Sequence, residues 1–134
     1  MGQIAYSTVA DRTPLHQRVL ARLQAQVSWE DENSNEKFSI LGTTENVGET
    51  TALVNLDILP HVGSSVKIRL MDENTTIIET SAEVIRVERD PGKPQAALNI
   101  VENLKKWKDT AITAAQDWVT RDTKLNYEDD GWLN

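Results

Sequence analysis

The chain has 134 residues, 39% of them hydrophobic and 26% charged, with a formal net charge of −7 and no cysteine. Such a length carries one domain with a modest core, and the missing cysteines exclude disulfides, thiolate metal sites and cysteine nucleophiles. The acidic balance argues against a general DNA or RNA binder, which needs a basic footprint to displace counterions.

A polar arm comes first, in which Pro14 disfavours helix at Thr13. Leu23, Ala25, Val27 and Trp29 then alternate with Gln24, Gln26 and Ser28, the period of a half-buried strand. Glu30 to Asn35 is a charged turn, after which Phe38 and Ile40 alternate toward Gly42. Thr51 to Leu56 is β-branched and apolar, a further strand, and Pro60 and Gly63 punctuate the next connection. Val66, Ile68 and Leu70 alternate with Lys67 and Arg69, and Asp72-Glu-Asn74 makes a hairpin turn. Thr75 to Val87 is a long strand whose in–out register shifts at Val84-Ile85, the mark of a bulge or bend. Asp90-Pro-Gly-Lys-Pro94 turns the chain into a last strand, Ala96 to Val101. The period then becomes helical. Asn103 is placed as the N-cap, and Leu104, Trp107, Ala111, Ala114, Ala115 and Trp118 form one apolar stripe, with the two tryptophans packing the helix on the sheet. The acidic tail from Asp122 is expected to fray.

Short strands with no helices between them predict a mainly β fold, an antiparallel barrel of six to seven strands with a C-terminal α-helix. Periodicity alone fits small SH3-like and OB-type barrels equally. The chain divides into a flexible arm over 1–22, a barrel over 23–102, a helix over 103–121 and an acidic tail over 122–134.

Little in this chain resembles catalytic machinery. His16 and His61 lie far apart and in no metal-ligand spacing, so no metal is expected. The carboxylates of Glu30-Asp31-Glu32 and Asp129-Asp130 fall in a turn and the tail, where solvated faces are the rule. There is no GxGxxG and no GxxxxGK[ST], and Ser64-Ser65 has no nucleophile-elbow context. The expectation is a binding module that is not an enzyme and carries no cofactor. Aromatic residues, at 5%, are too few to build stacking platforms for single-stranded nucleic acid. No apolar run follows a basic start and none approaches membrane-spanning length, so a cytoplasmic chain is expected, or the cytoplasmic domain of a membrane protein.

Charge is uneven along the sequence: Arg12, Arg18 and Arg22 face only Asp11 within residues 1–29. A small anion is therefore drawn to an arm that the acidic body does not advertise. Arg18 and Arg22 stand four apart in Gln17-Arg-Val-Leu-Ala-Arg22, followed by Thr44-Glu-Asn-Val-Gly-Glu-Thr-Thr-Ala-Leu-Val54. This pairing resembles the two-part signature of PilZ domains, RxxxR and then [DN]xSxxG on a turn between strands. Pro60-x-x-Gly63-x-x-Val66-x-Ile68, Ala82-Glu-Val-Ile-Arg-Val87 and the closing helix extend the resemblance over residues 17–120. It implies a PilZ-type barrel that binds cyclic di-GMP and relays it to a partner protein or attached domain, such as a cellulose or exopolysaccharide synthase or a motility or pilus component. The module is either part of a larger protein or a stand-alone one. The resemblance assigns ligand contacts to Arg18, Arg22, Asn46, Gly48 and Thr51; Arg12 would be a helper that no motif supports. A guanidinium forks onto phosphate or guanine O6/N7 and stacks on purine faces, which suits the two arginines. The second motif is altered, because Gly48 stands where serine belongs and Thr51 where glycine belongs. A lost hydrogen bond to a charged group costs roughly 1.5–3 kcal/mol. A β-branched residue at a left-handed position costs on the order of 1–2 kcal/mol more. Together they predict an affinity about two decades or more below that of an intact motif. The alternative is a degenerate adaptor that binds a protein and no nucleotide.

Overall fold

The computed structural model describes residues 17–129 of the chain. Arg12 and His16 lie outside the described residues. The elements are β1 (Arg18–Val19), β2 (Gln24–Glu30), β3 (Lys37–Gly48), β4 (Thr51–Asn55), β5 (Ser65–Asp72), β6 (Thr75–Glu88), β7 (Gln95–Ile100) and α1 (Leu104–Asp129). Strands β3, β2, β5, β6, β7 and β4 are hydrogen-bonded in that order, and β4 pairs back onto β3. The sheet is thus a closed antiparallel barrel, as the strand pattern predicted, with β1 added on β3 and the helix at the C-terminus. Closure satisfies the backbone groups that open edges would leave unpaired.

Two long strands make the corners. β6 pairs with β5 through its first part and with β7 through its second, and the register slips between Val84 and Arg86. Ile85 is the extra residue and turns outward, 51% exposed. This is the bulge that the broken apolar alternation predicted. β3 does the same, pairing with β2 over Lys37–Thr43 and with β4 from Thr43 onward, with a slip between Thr44 and Asn46. Each extra residue bends its strand and raises its twist, which lets one strand serve two sides of a closed sheet. Gly42 lies at the β3 corner, where a Cβ would fall on the backbone oxygen of Asn55. The β5–β6 hairpin turns through Glu73 (φ 51°) and Asn74 (φ 67°), a two-residue turn of the mirror-image type that matches strand twist.

Inward residues of every barrel strand form one core, with Leu23, Val27, Val47, Val54, Ile68, Leu70, Val84 and Leu98 fully or almost fully buried. Trp29 and Phe38 stack at 5.1 Å between ring centroids and close the end of the β2–β3 hairpin. The helix seals the core with Trp107, Ala111, Ile112 and Ala115. Trp118 packs against it half-buried, and Leu104, expected in the stripe, is exposed on the first turn. Asn103 caps by its carbonyl, which accepts from Trp107 N at 2.8 Å, with a left-handed φ of 54° that asparagine tolerates. Helix continues to Asp129, into the segment expected to fray. Just before that segment, Arg121 ties the helix to the β5–β6 hairpin, with Nη2 2.6 Å from Asp72 Oδ2 and Nη1 2.8 Å from Glu73 Oε2.

Candidate functional site

The end of the β3–β4 hairpin is where the arm meets the barrel. Thr44 explains how. Its side chain is buried although polar, because it replaces a partner that the arm backbone lacks: Oγ1 accepts from Leu23 N at 2.9 Å and donates to Ala21 O at 2.5 Å. Thr44 N also donates to Leu23 O at 2.8 Å. Ala21 and Leu23 are thereby held with their side chains in the core, and Arg22 between them is turned outward and exposed. Residues 18–23 are therefore paired to β3 before β2 begins, and residues 1–16 of the arm lie outside the described residues. Further back, Arg18 pairs with Gly48 and Val19 with Val47.

The turn after β3 is fixed from three sides. Trp107 Nε1 donates to Gly48 O at 2.9 Å in a buried contact, so this tryptophan pins the turn as well as filling the core. Glu49 accepts Gln17 N at 3.2 Å from the arm and lies 3.8 Å from Lys108 Nζ of the helix. Thr50 O accepts from Ile100 N at 2.8 Å. Arm, turn and helix form one junction.

The five residues singled out from sequence fall around this junction. Arg18 lies alongside Gly48, its Cγ 3.5 Å from where a Cβ at 48 would stand. Arg22 lies near enough for its charge to act on Glu45. Asn46 is half-buried in register with Leu53. Neither guanidinium has a hydrogen bond or ion-pair partner among the described residues. Thr51 does not have a positive φ, and neither does Gly48. The backbone strain that a threonine at 51 could have imposed is absent. Instead, a Cβ added at Gly48 would stand 2.5 Å from Thr51 Oγ1. The threonine hydroxyl occupies the space that a side chain at 48 would need, so the two departures from the motif are one coupled exchange. Gly48→Ser alone is expected to destabilise the domain by about 1–3 kcal/mol through overpacking. Adding Thr51→Gly should recover most of that loss. Urea unfolding of both singles and the double measures the coupling, and strict additivity would contradict it.

Sequence reasoning missed Thr44, Glu45, Glu49, Lys93 and Lys108. Glu45 is the extra residue of the β3 bulge. Its carboxyl sits below the usual glutamate range, first because Asn55 donates to it and then because Lys93 does, with the charges of Lys93 and Arg22 adding. Among the described residues, no group of histidines and carboxylates could hold a metal ion, and no helix is long and apolar enough to cross a membrane.

No protein-family model and no curated protein matches the chain. Solved structures do. The PilZ domain of YcgR from Escherichia coli, solved with c-di-GMP, superposes with a TM-score of 0.61 at 10% identity, over 84% of this chain and 98% of that one. The Bacillus subtilis inhibitor of motility (MotI/DgrA) gives 0.52 at 22% identity, over 88% of this chain. The chain spans only 53% of that protein's length. With its closed barrel, the added strand at the arm and the C-terminal helix, the chain has the fold of a PilZ domain.

Proposed function

We propose that this domain binds cyclic di-GMP through Arg18, Arg22 and the Asn46–Thr51 turn. The reading goes on to a relay, in which binding is passed to a partner protein or attached domain such as a polysaccharide synthase. One observation carries the proposal: the arm is clamped to β3 so that Arg18 sits opposite Gly48 while Arg22 projects outward beside Glu45, with both guanidinium groups unengaged among the described residues. Two guanidinium groups with no hydrogen-bond or ion-pair partner among the described residues, beside a polar turn, suit a ligand with two phosphates and two guanine edges. The E. coli domain of the same fold, solved with c-di-GMP, supports the choice of ligand. Because Thr51 is unstrained, the penalty reduces to the missing serine hydrogen bond, about one to two decades of affinity. The junction supports the relay, since Gln17 of the arm and Lys108 of α1 both meet the Glu49 carboxylate.

Titration calorimetry with cyclic di-GMP at moderate salt is the test. Binding is expected, with Arg18→Ala and Arg22→Ala each weakening it by about ten- to hundredfold. Absence of heat at high micromolar ligand, or binding by both variants as tight as the parent's, overturns the proposal. The second reading, a protein adaptor without nucleotide, draws on Leu20, which is 72% exposed between the two arginines. Failure to bind nucleotide together with a retained fold would favour it.

A further inference from the structure

A carboxylate stands inside the cluster that the ligand is proposed to enter. Glu45 is thrown outward by the β3 bulge, directly before Asn46. Asn55 Nδ2 of β4 donates to its Oε1 at 3.2 Å, and Gln95 Nε2 of β7 donates to Asn55 Oδ1 at 2.9 Å, which fixes the asparagine amide with its nitrogen toward Glu45. Lys93, from the β6–β7 turn, puts Nζ 3.1 Å from the same carboxylate oxygen. Arg22 acts on it by charge without closing to an ion pair. Asn55 of β4, itself held by β7, and Lys93 of the β6–β7 turn thus converge on the one negative charge that β3 carries. The Glu45 side chain is only 27% exposed, whereas Lys93 is 53% exposed and free to leave.

We propose that Glu45 is an internal counter-ion, which holds Lys93 and offsets Arg22 until an anionic ligand displaces it, and that Lys93 is a further cation of the binding site. This rests on the nucleotide reading above and deepens it. A phosphate approaching Arg22 meets a fixed like charge in a partly desolvated place, where Coulomb terms exceed their value in bulk water. It gains once Lys93 swings from the carboxylate to the ligand. The chain sets its affinity by this competition, separately from the motif turn.

Glu45→Gln removes the charge and keeps an oxygen for the Asn55 amide. Calorimetry with cyclic di-GMP is expected to show binding tightened on the order of tenfold, with a steeper salt dependence because more net positive charge meets the ligand. Lys93→Gln should weaken binding several-fold and flatten that dependence, and the double variant should return near the parent chain. Lys93 is exposed, so its variant tests the idea even where the glutamate change disturbs the fold. If the parent binds and Glu45→Gln binds equally or more weakly, the counter-ion idea fails alone; weaker binding would make Glu45 an acceptor for a guanine edge. If neither the parent nor Glu45→Gln binds, the nucleotide reading fails and this goes with it. Binding by Glu45→Gln where the parent is silent overturns the nucleotide reading for the parent chain and supports Glu45 as the charge that opposes the anion.

Discussion

Replacing Trp107 with alanine is expected to cost about 3–5 kcal/mol, the range for emptying a buried tryptophan site. A domain this size has a total stability of about 5–15 kcal/mol, so the variant should be largely unfolded at modest urea. The reason is double. The ring is fully buried at the base of the helix, among residues of the barrel core. Its Nε1 is also the donor that satisfies Gly48 O inside the protein. Trp107→Phe separates the two roles, because it keeps most of the apolar volume and strands the carbonyl. It should cost about 1–3 kcal/mol and loosen the arm–turn junction before the core. Urea denaturation followed by circular dichroism gives both values. A Trp107→Phe variant as unstable as Trp107→Ala would mean that the hydrogen bond, not the packing, dominates. One with no loss would mean that the carbonyl finds water.

Gly42→Ala should be nearly as severe, at about 3 kcal/mol or more. Its methyl would land on the backbone oxygen of Asn55 and 2.9 Å from Leu56 Cδ2. A side-chain tip could rotate away, but a carbonyl locked in the β4 ladder cannot. β3 and β4 have to part at the first rung they share, Thr43 with Asn55. That rung closes the barrel. Hydrogen exchange should therefore show lost protection at the β3–β4 seam before the β5–β6 hairpin. Gly92→Ala is the control, since its nearest atom is an exposed carboxylate oxygen 3.5 Å away, and it should change little. Equal urea midpoints for the two alanine variants would refute this account of the seam.

The barrel was legible because its strands alternate faithfully. Leu23 to Trp29 and Val66 to Leu70 put every second residue inside, and the core holds those residues. The β6 bulge announced itself because Val84 and Ile85 are adjacent apolar residues that cannot both face inward. The β3 bulge gave no such sign. It lies between Thr44, a polar residue that is buried, and Asn46, so hydropathy could not mark it. β1 is two residues long and has no period to read. Of the site, the two arginines stood out through their spacing and resemblance alone. Lys93 comes close to Glu45 only through the way the β6–β7 turn falls beside the β3 bulge, which linear order does not encode. Ile112 was left out of the helical stripe yet is 6% exposed, because the helix buries a wider face at its middle than a strict stripe allows.

The pairing of Gly48 with Thr51 bears on how related chains are found. A comparison that scores positions one at a time counts two unfavourable letters there, as if two contacts had vanished. In space the Thr51 hydroxyl stands 2.5 Å from where a Cβ at 48 would be, so one side chain fills the loop and the other position stays bare. Descriptors written for a hydroxyl at either end of that loop, conditional on a small residue at the other, would gather barrels that strict letter patterns pass over.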